Sequence, residues 1–127
     1  KELIIIDTSP YREIAPIEAG MVVLRNRDKT EMFDSDLTQK IKQRCIDKLI
    51  PFQFKDEYLT QLGVSTKGLG STELGRIIDN SKGRWSGTTV QIPTTEYHTS
   101  YETTSRQCIE NYYSLLQNIL VNEPITT

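Results

Sequence analysis

The segment Ile92-Pro93-Thr94-Thr95-Glu96-Tyr97-His98-Thr99-Ser100-Tyr101-Glu102 carries the chain's one imidazole, His98, with a carboxylate four residues later. An imidazole can ligate a divalent metal or move a proton near neutral pH. The second candidate, Asp7, closes the apolar run Leu3-Ile4-Ile5-Ile6. A carboxylate at the carboxyl end of a strand is poorly solvated unless it faces a cleft, where a metal or a catalytic water would partner it. Both residues also have plain structural readings. Thr8-Ser9-Pro10 makes Asp7 a candidate turn or capping residue, and His98 can be hydrogen-bonded among its Thr and Ser neighbours.

A third feature is the Gly-rich stretch Lys67-Gly68-Leu69-Gly70-Ser71-Thr72-Glu73-Leu74-Gly75. Such a turn can cradle an anion where it opens a helix. It lacks the Gly-Lys-Ser/Thr ending of a P-loop and the spacing of a dinucleotide-binding unit, so a tight strand-to-helix turn is the simpler account. Asp28, Glu31, Asp34 and Asp36 lack EF-hand spacing and read as solvated loop acids. Tyr97, Tyr101, Tyr112 and Tyr113 read as helix packing and cleft walls.

The elements that must position these groups are legible. Residues 3–6 form a continuous apolar run suited to a central strand covered on both faces. A second strand follows at 21–24, a short one at 52–54, and a fourth at 88–92 that Pro93 ends. The first helix is predicted from Asp36, which caps it with Gln39 as the reciprocal partner. Its stripe is Leu37, Ile41, Cys45 and Leu49, widened by Ile46 and Ile50, and Pro51 stops it. Ser71 or Thr72 caps a short helix containing Leu74, Ile77 and Ile78. The last helix starts at a capping box of Thr104 and Gln107 and buries Ile109, Tyr112, Leu116, Ile119 and Leu120. Residues 122–127 should fray. The order β-β-α-β-α-β-α argues for an α/β layered sheet with flanking helices.

Composition bounds the function classes. At 127 residues, 36% hydrophobic and 25% charged, the chain is one soluble globular domain in expectation. A net charge of −2 and a pI near 5.4 argue against nucleic acid or an anionic membrane as partner, since phosphate binding needs a basic surface. No apolar run approaches the roughly 20 residues of a membrane-spanning helix, and the opening residues lack the organisation of a signal peptide. Cys45 and Cys108 fall in predicted helices and read as reduced core thiols of a cytoplasmic protein, with a disulfide between them as the alternative. Because residues 3–6 already read as a buried strand, the chain is expected to be a piece of something longer.

Three segments together resemble one family. They are Ile4-Ile5-Ile6-Asp7-Thr8-Ser9-Pro10, Leu69-Gly70-Ser71-Thr72-Glu73-Leu74-Gly75, and Pro93-Thr94-Thr95-Glu96-Tyr97-His98-Thr99-Ser100-Tyr101-Glu102. In order and spacing they resemble the C-terminal part of the TET-type glutamyl or deblocking aminopeptidases, co-catalytic metallopeptidases sometimes called endoglucanases. The resemblance implies that residues 1–127 are the C-terminal part of a zinc-aminopeptidase-like (phosphorylase/hydrolase-like) catalytic domain. It implies Asp7 and His98 as ligands, one to each of two divalent ions, zinc or cobalt, while Gly70, Thr72 and Glu73 border the substrate cleft. It further implies a peptide substrate, a homo-oligomeric parent, and a general base and other ligands outside this chain. The isolated chain is therefore expected to be inactive; the alternative is a non-catalytic association module. Ser71-Thr72-Glu73 stands where the family commonly has Gly-Thr-Asp, and Thr95 where an arginine is usual, departures that bear on substrate preference.

Overall fold

The structure, a computed structural model, describes residues 2–125. Its framework is a mixed four-stranded sheet in the order β1-β4-β2-β3. Strand β1 (Glu2–Pro10) runs parallel to β4 (Ser86–Thr94), in a register that sets Asp7 opposite Gln91. Strand β2 (Val22–Leu24) pairs antiparallel with β4 and parallel with β3 (Phe52–Phe54). Between them lie helices α1 (Ala15–Glu18), α2 (Ser35–Asp47), α3 (Lys55–Gln61) and α4 (Glu73–Asn80), and α5 (Arg106–Gln117) follows β4. A 3-10 turn, Thr66–Leu69, precedes α4, and a π-helical turn, Asn118–Asn122, extends α5. The layered α/β architecture matches expectation, and α1 and α3 are additions to it.

Alternation along β1 shows how the layers close. Ile4 packs into the main core with Val22, Leu24 and Val90 of the sheet, Ile41 of α2, and Leu115 and Ile119 of α5. Its neighbours Leu3 and Ile5 point the other way, against Leu74 and Ile78 of α4 and Phe33. Both faces of β1 are therefore covered, as its unbroken apolar run requires. Its lateral position differs from expectation. Among the described residues only β4 flanks it, so β1 is an edge strand and Ile6 is 57% exposed. An apolar run reports covered faces and is silent about lateral neighbours.

Several boundaries move for tertiary reasons. Asp34, rather than Asp36, caps α2 by accepting from the Leu37 amide at 2.9 Å. The Asp34 amide is pinned to β4 through the Gly87 carbonyl at 2.8 Å, which fixes where the helix starts. Helix α2 ends at Asp47 instead of running to Pro51, in a Schellman closure. The Leu49 amide bonds the Ile46 carbonyl and the Ile50 amide bonds the Cys45 carbonyl. This puts Leu49 at φ +57° and 90% exposed, while Ile50 turns back into the core. Ile46, expected to widen the stripe, is also exposed.

At α5 the cap is Ser105 rather than Thr104. Its hydroxyl donates to the Ile17 carbonyl at 2.6 Å and accepts from the Cys108 amide at 3.0 Å. The buried stripe of α5 follows this start: Cys108, Leu115 and Ile119 face inward, whereas Ile109 and Leu120 are exposed. Tyr101 and Tyr113 are exposed rather than packed. The 122–125 segment is also held: Ile125 is buried, its amide bonds the Ile119 carbonyl, and Arg44 grips Asn118 and the Glu123 carbonyl. Residues 126 and 127 of the expected frayed tail lie outside the described residues. Strand β4 continues through Pro93 to Thr94. No β2 residue pairs with β4 beyond Gln91, so on that side the missing N–H of proline leaves no ladder bond unmade. Cys45 and Cys108 are both buried and free.

The largest correction concerns Asp28, expected in a solvated turn and found fully buried. One carboxylate oxygen accepts from the amides of Thr30 and Glu31, each at 2.9 Å. The other accepts from the Thr72 amide at 3.0 Å and hydroxyl at 2.8 Å. Thr72 in turn caps α4, its hydroxyl accepting from the Gly75 amide at 3.0 Å. A Cβ on Gly75 would lie 2.0 Å from the Asp28 carboxylate, so only glycine lets the helix approach this close. Burial pushes the Asp28 pKa up, but the bonds from Glu31, Thr30 and Thr72 outweigh it and hold the carboxyl below its ordinary range.

Two stability predictions follow from these contacts. Asp28→Asn removes a charged acceptor from a buried network and should cost about 3 kcal/mol in a denaturant melt. Because the folded-state pKa is depressed, the Asp28 contribution is present above the unfolded carboxylate pKa and is lost as pH falls through the folded value. The wild-type acid-unfolding limb should therefore be steeper than that of Asp28→Asn, and equal limbs would contradict this. Leu49→Gly relieves a left-handed non-glycine residue and should raise stability by about 1 kcal/mol.

Candidate functional site

The site lies at the carboxyl ends of the parallel pair β1 and β4. Asp7 is exposed there, one oxygen accepting from the Thr8 amide at 2.7 Å. Its register partner Gln91 is buried, and Gln91 Oε1 has no hydrogen-bond partner among the described residues. Past β4 the chain forms a loop closed by the bridge Thr95↔Thr103, whose reciprocal amide bonds measure 2.9 and 3.0 Å. Inside it Glu96 and His98 both adopt left-handed backbone, at φ +56° and +61°. Non-glycine residues do so at a cost of about 1 kcal/mol or more each, and such strain is found where surrounding contacts over-determine the backbone.

Glu102 supplies those contacts. It accepts from the Thr94 hydroxyl at 2.7 Å through one oxygen and from the His98 amide at 3.2 Å through the other. The Thr94 bond is the main cause holding the Glu102 carboxyl below its usual range, helped by the His98 amide and the Thr8 side chain. Thr94 lies on β4, so one carboxylate ties the end of that strand to the His98 loop. The His98 ring stacks on Tyr97 with centroids 3.7 Å apart. The Tyr97 hydroxyl has its pKa raised by burial and then by the charges of Asp7 and Glu102, which places all three in one electrostatic neighbourhood.

A cleft of about 740 Å³ opens at this sheet end. Asp7, Gly70, Thr72 and Glu73 all line it, so four of the five residues singled out in the sequence meet there. His98 is not in its lining; it is exposed and sits behind Tyr97, which does line the cleft. Gly70, at φ +79°, turns the chain between the 3-10 turn and α4, and its carbonyl accepts from the Lys29 amide at 3.0 Å. Thr72 is held by Asp28, and Glu73 opens α4 with an exposed carboxylate.

The sequence reading missed the cleft's basic wall. Arg25 is buried and donates to the carbonyls of Leu69 at 2.7 Å and Arg27 at 3.0 Å. Lys55 is buried at the start of α3, with its ammonium 3.7 Å above the Tyr11 ring. Tyr11 stacks on Tyr58 and donates to Gln53 at 2.7 Å. Asp56 and Glu57, acids in the first turn of α3, were the available signal for that helix. Nothing in the local sequence marked Lys55 as buried.

A zinc ion takes at least three protein ligands in structural and catalytic sites alike, and among the described residues no three His, Cys, Asp or Glu side chains gather to hold one. Asp7 and His98 therefore do not by themselves fit a two-metal centre. Among the described residues no helix is long and apolar enough to cross a membrane.

No family model and no curated protein matches the chain. Solved structures do. PhTET1-12s, a dodecamer, superposes with a TM-score of 0.66 at 17% identity, covering 94% of this chain and 33% of that one. A TET aminopeptidase from the marine sediment archaeon Thaumarchaeota archaeon SCGC AB-539-E09 superposes with a TM-score of 0.71 at 19% identity, covering 96% and 33%. The chain thus spans about a third of the length of the solved structures it matches, and over nearly all of its own length it has the fold of a region of the TET aminopeptidases.

Proposed function

We propose that this chain is the C-terminal part of the catalytic domain of a metal-dependent aminopeptidase that hydrolyses N-terminal peptide bonds. Asp7 and His98 are then ligands to different ions of a divalent pair, zinc or cobalt. The observation that carries the reading is the sheet end itself. Asp7, the strained His98 loop held by Glu102, and the Gly70–Glu73 turn meet around one cleft, in a fold shared with a TET aminopeptidase over 96% of the chain. The missing donors and the general base come from protein outside these 127 residues, so the isolated chain has no turnover. The dodecameric state of PhTET1-12s supports a homo-oligomeric parent. Two buried free thiols are in keeping with a cytoplasmic location.

The edge of β1 favours a second reading, an association module. A strand that among the described residues has a strand neighbour on one side only, with an exposed Ile6, is a template for pairing with another chain. Sedimentation separates the two, because a strictly monomeric chain at high concentration removes support for association.

The test of the first reading is metal content per chain after gel filtration, with a peptide-hydrolysis assay on the same sample. Well under one ion per chain and no released amine are expected. Near-stoichiometric metal that His98→Ala abolishes, or measurable turnover, would falsify the incomplete-site proposal. A companion experiment addresses how His98 is held. Glu102→Ala should speed hydrogen exchange at the His98 amide at least tenfold. In the wild type that protection should persist down to acidic pH. The depressed Glu102 pKa means the bond is lost only as pH falls below the ordinary carboxylate range.

A further inference from the structure

Two exposed apolar features lie on the same flank of the sheet. The first is the edge of β1, which among the described residues has only β4 beside it. Strand edges are ordinarily guarded by Lys, Pro or a bulge, and Leu3-Ile4-Ile5-Ile6 contains neither Lys nor Pro. Ile4 packs on the α5 side of the sheet, so by alternation Ile6 faces that side too, 57% exposed. The second feature is a stripe on α5 and the π-helical turn after it. Ile109, Tyr113, Leu116 and Leu120 recur at i, i+4, i+7 and i+11, the spacing of one helix face. Leu116 is half-buried, whereas Ile109, Tyr113 and Leu120 are 54%, 64% and 51% exposed. The contacts of α5 show where this stripe points. The helix runs over β4, where the Tyr112 hydroxyl donates to the Val90 carbonyl at 2.7 Å. Asn111 donates to the Gly20 carbonyl at 2.8 Å, just before β2, and Asn118 accepts from Arg44 of α2 at 3.0 Å. At 3.6 residues per turn, Ile109, Tyr113 and Leu116 fall on the flank opposite Asn111. Since β2 and β1 lie on opposite sides of β4, the stripe is turned towards the β1 edge. It forms the wall, and Ile6 the floor, of one apolar surface.

We propose, building on the association reading, that this surface seats a second copy of the chain in a two-fold dimer. In it β1 pairs antiparallel with the partner's β1, and the two α5 stripes face each other over the seam. Self-complementarity favours this occupant. A two-fold axis normal to the sheet brings edge to edge and stripe to stripe in one operation, as an isologous interface requires. In the register centred on Ile5, Ile6 meets the partner's Ile4 on the α5 side. The two Asp7 carboxylates then stay about 13 Å apart along the strands, beyond the Debye length of about 8 Å at physiological salt. The stripe itself carries no charge to repel its copy. The area is also sufficient. Ile6, Ile109, Tyr113 and Leu120 leave roughly 400 Å² of apolar surface open, as large as the main patch of an ordinary monomer. The edge of a nine-residue strand, about 30 Å long, brings each copy close to the ~800 Å² per partner of a standard stable interface.

Sedimentation equilibrium of the 127-residue chain between about 1 and about 500 μM tests this directly. A monomer–dimer equilibrium is expected in the wild type. Ile6→Lys and Tyr113→Lys, one on each part of the surface, should each weaken it at least tenfold. Leu49→Lys is the control for general stickiness, because Leu49 is 90% exposed and lies at the end of α2 away from this surface. It should leave the dimer unchanged. If Ile6→Lys fails to fold, hydrogen exchange in the wild type replaces it. The β1 amides turned away from β4 should exchange at least tenfold more slowly at the high concentration than at the low one. A chain that stays monomeric throughout overturns this dimer and the association reading together, and leaves the surface to a different partner. A dimer that survives either variant, that Leu49→Lys weakens equally, or that leaves β1 exchange unchanged overturns the proposed interface alone, with the association reading intact.

Discussion

The arrangement of the cleft depends on one buried carboxylate. Among the described residues Asp28 has no charged partner in direct contact; it is satisfied by backbone amides and hydroxyls from two places in the chain, its own turn and Thr72. A charge buried this fully is tolerable only when its lone pairs are filled, so the turn after β2 and the start of α4 must come together or neither forms. Because Thr72 spends its hydroxyl on both Asp28 and the Gly75 amide, the helix cap and the clamp are one unit. The Gly70–Glu73 turn is thereby fixed against the sheet, with Lys29 and Arg25 bonding the carbonyls of Gly70 and Leu69 beside it.

A second unit of the same kind stands at the other side of the cleft. Glu102 joins β4 and the His98 loop, and it does so at the surface, where each bond is worth less than those of Asp28. The two carboxylates divide the labour. The buried one sets the rigid wall, and the exposed one restrains a loop whose backbone is strained at Glu96 and His98.

The charge distribution of the cleft follows from the topology. The end of β1 brings Asp7 to its lining, the loop after β4 brings Glu96 and the start of α4 brings Glu73, while Arg25 just after β2 and Lys55 just after β3 bring the cations. A cleft carrying both signs suits a zwitterionic or end-charged ligand better than a uniformly charged one. This agrees with a peptide reading on grounds independent of the donor shortfall around Asp7 and His98.

The sequence by itself determined the layered α/β class, the strands at 3–6, 52–54 and 88–92, the amphipathic α2, and the candidacy of Asp7, His98 and the Gly-rich turn. These are signals of period and of chemical type, and they are local. It placed caps one or two residues off at α2 and α5, because the local capping boxes favoured Asp36 with Gln39 and Thr104 with Gln107. Contacts with Gly87 and Ile17 made the choice. It misread Asp28 as solvated and was silent on Arg25 and Lys55, since polar residues in a turn carry no local mark of burial. Whether a charge is buried depends on which distant segment closes over it, here the turn around Thr72 for Asp28 and the Tyr11 ring for Lys55. Only the tertiary structure could decide that.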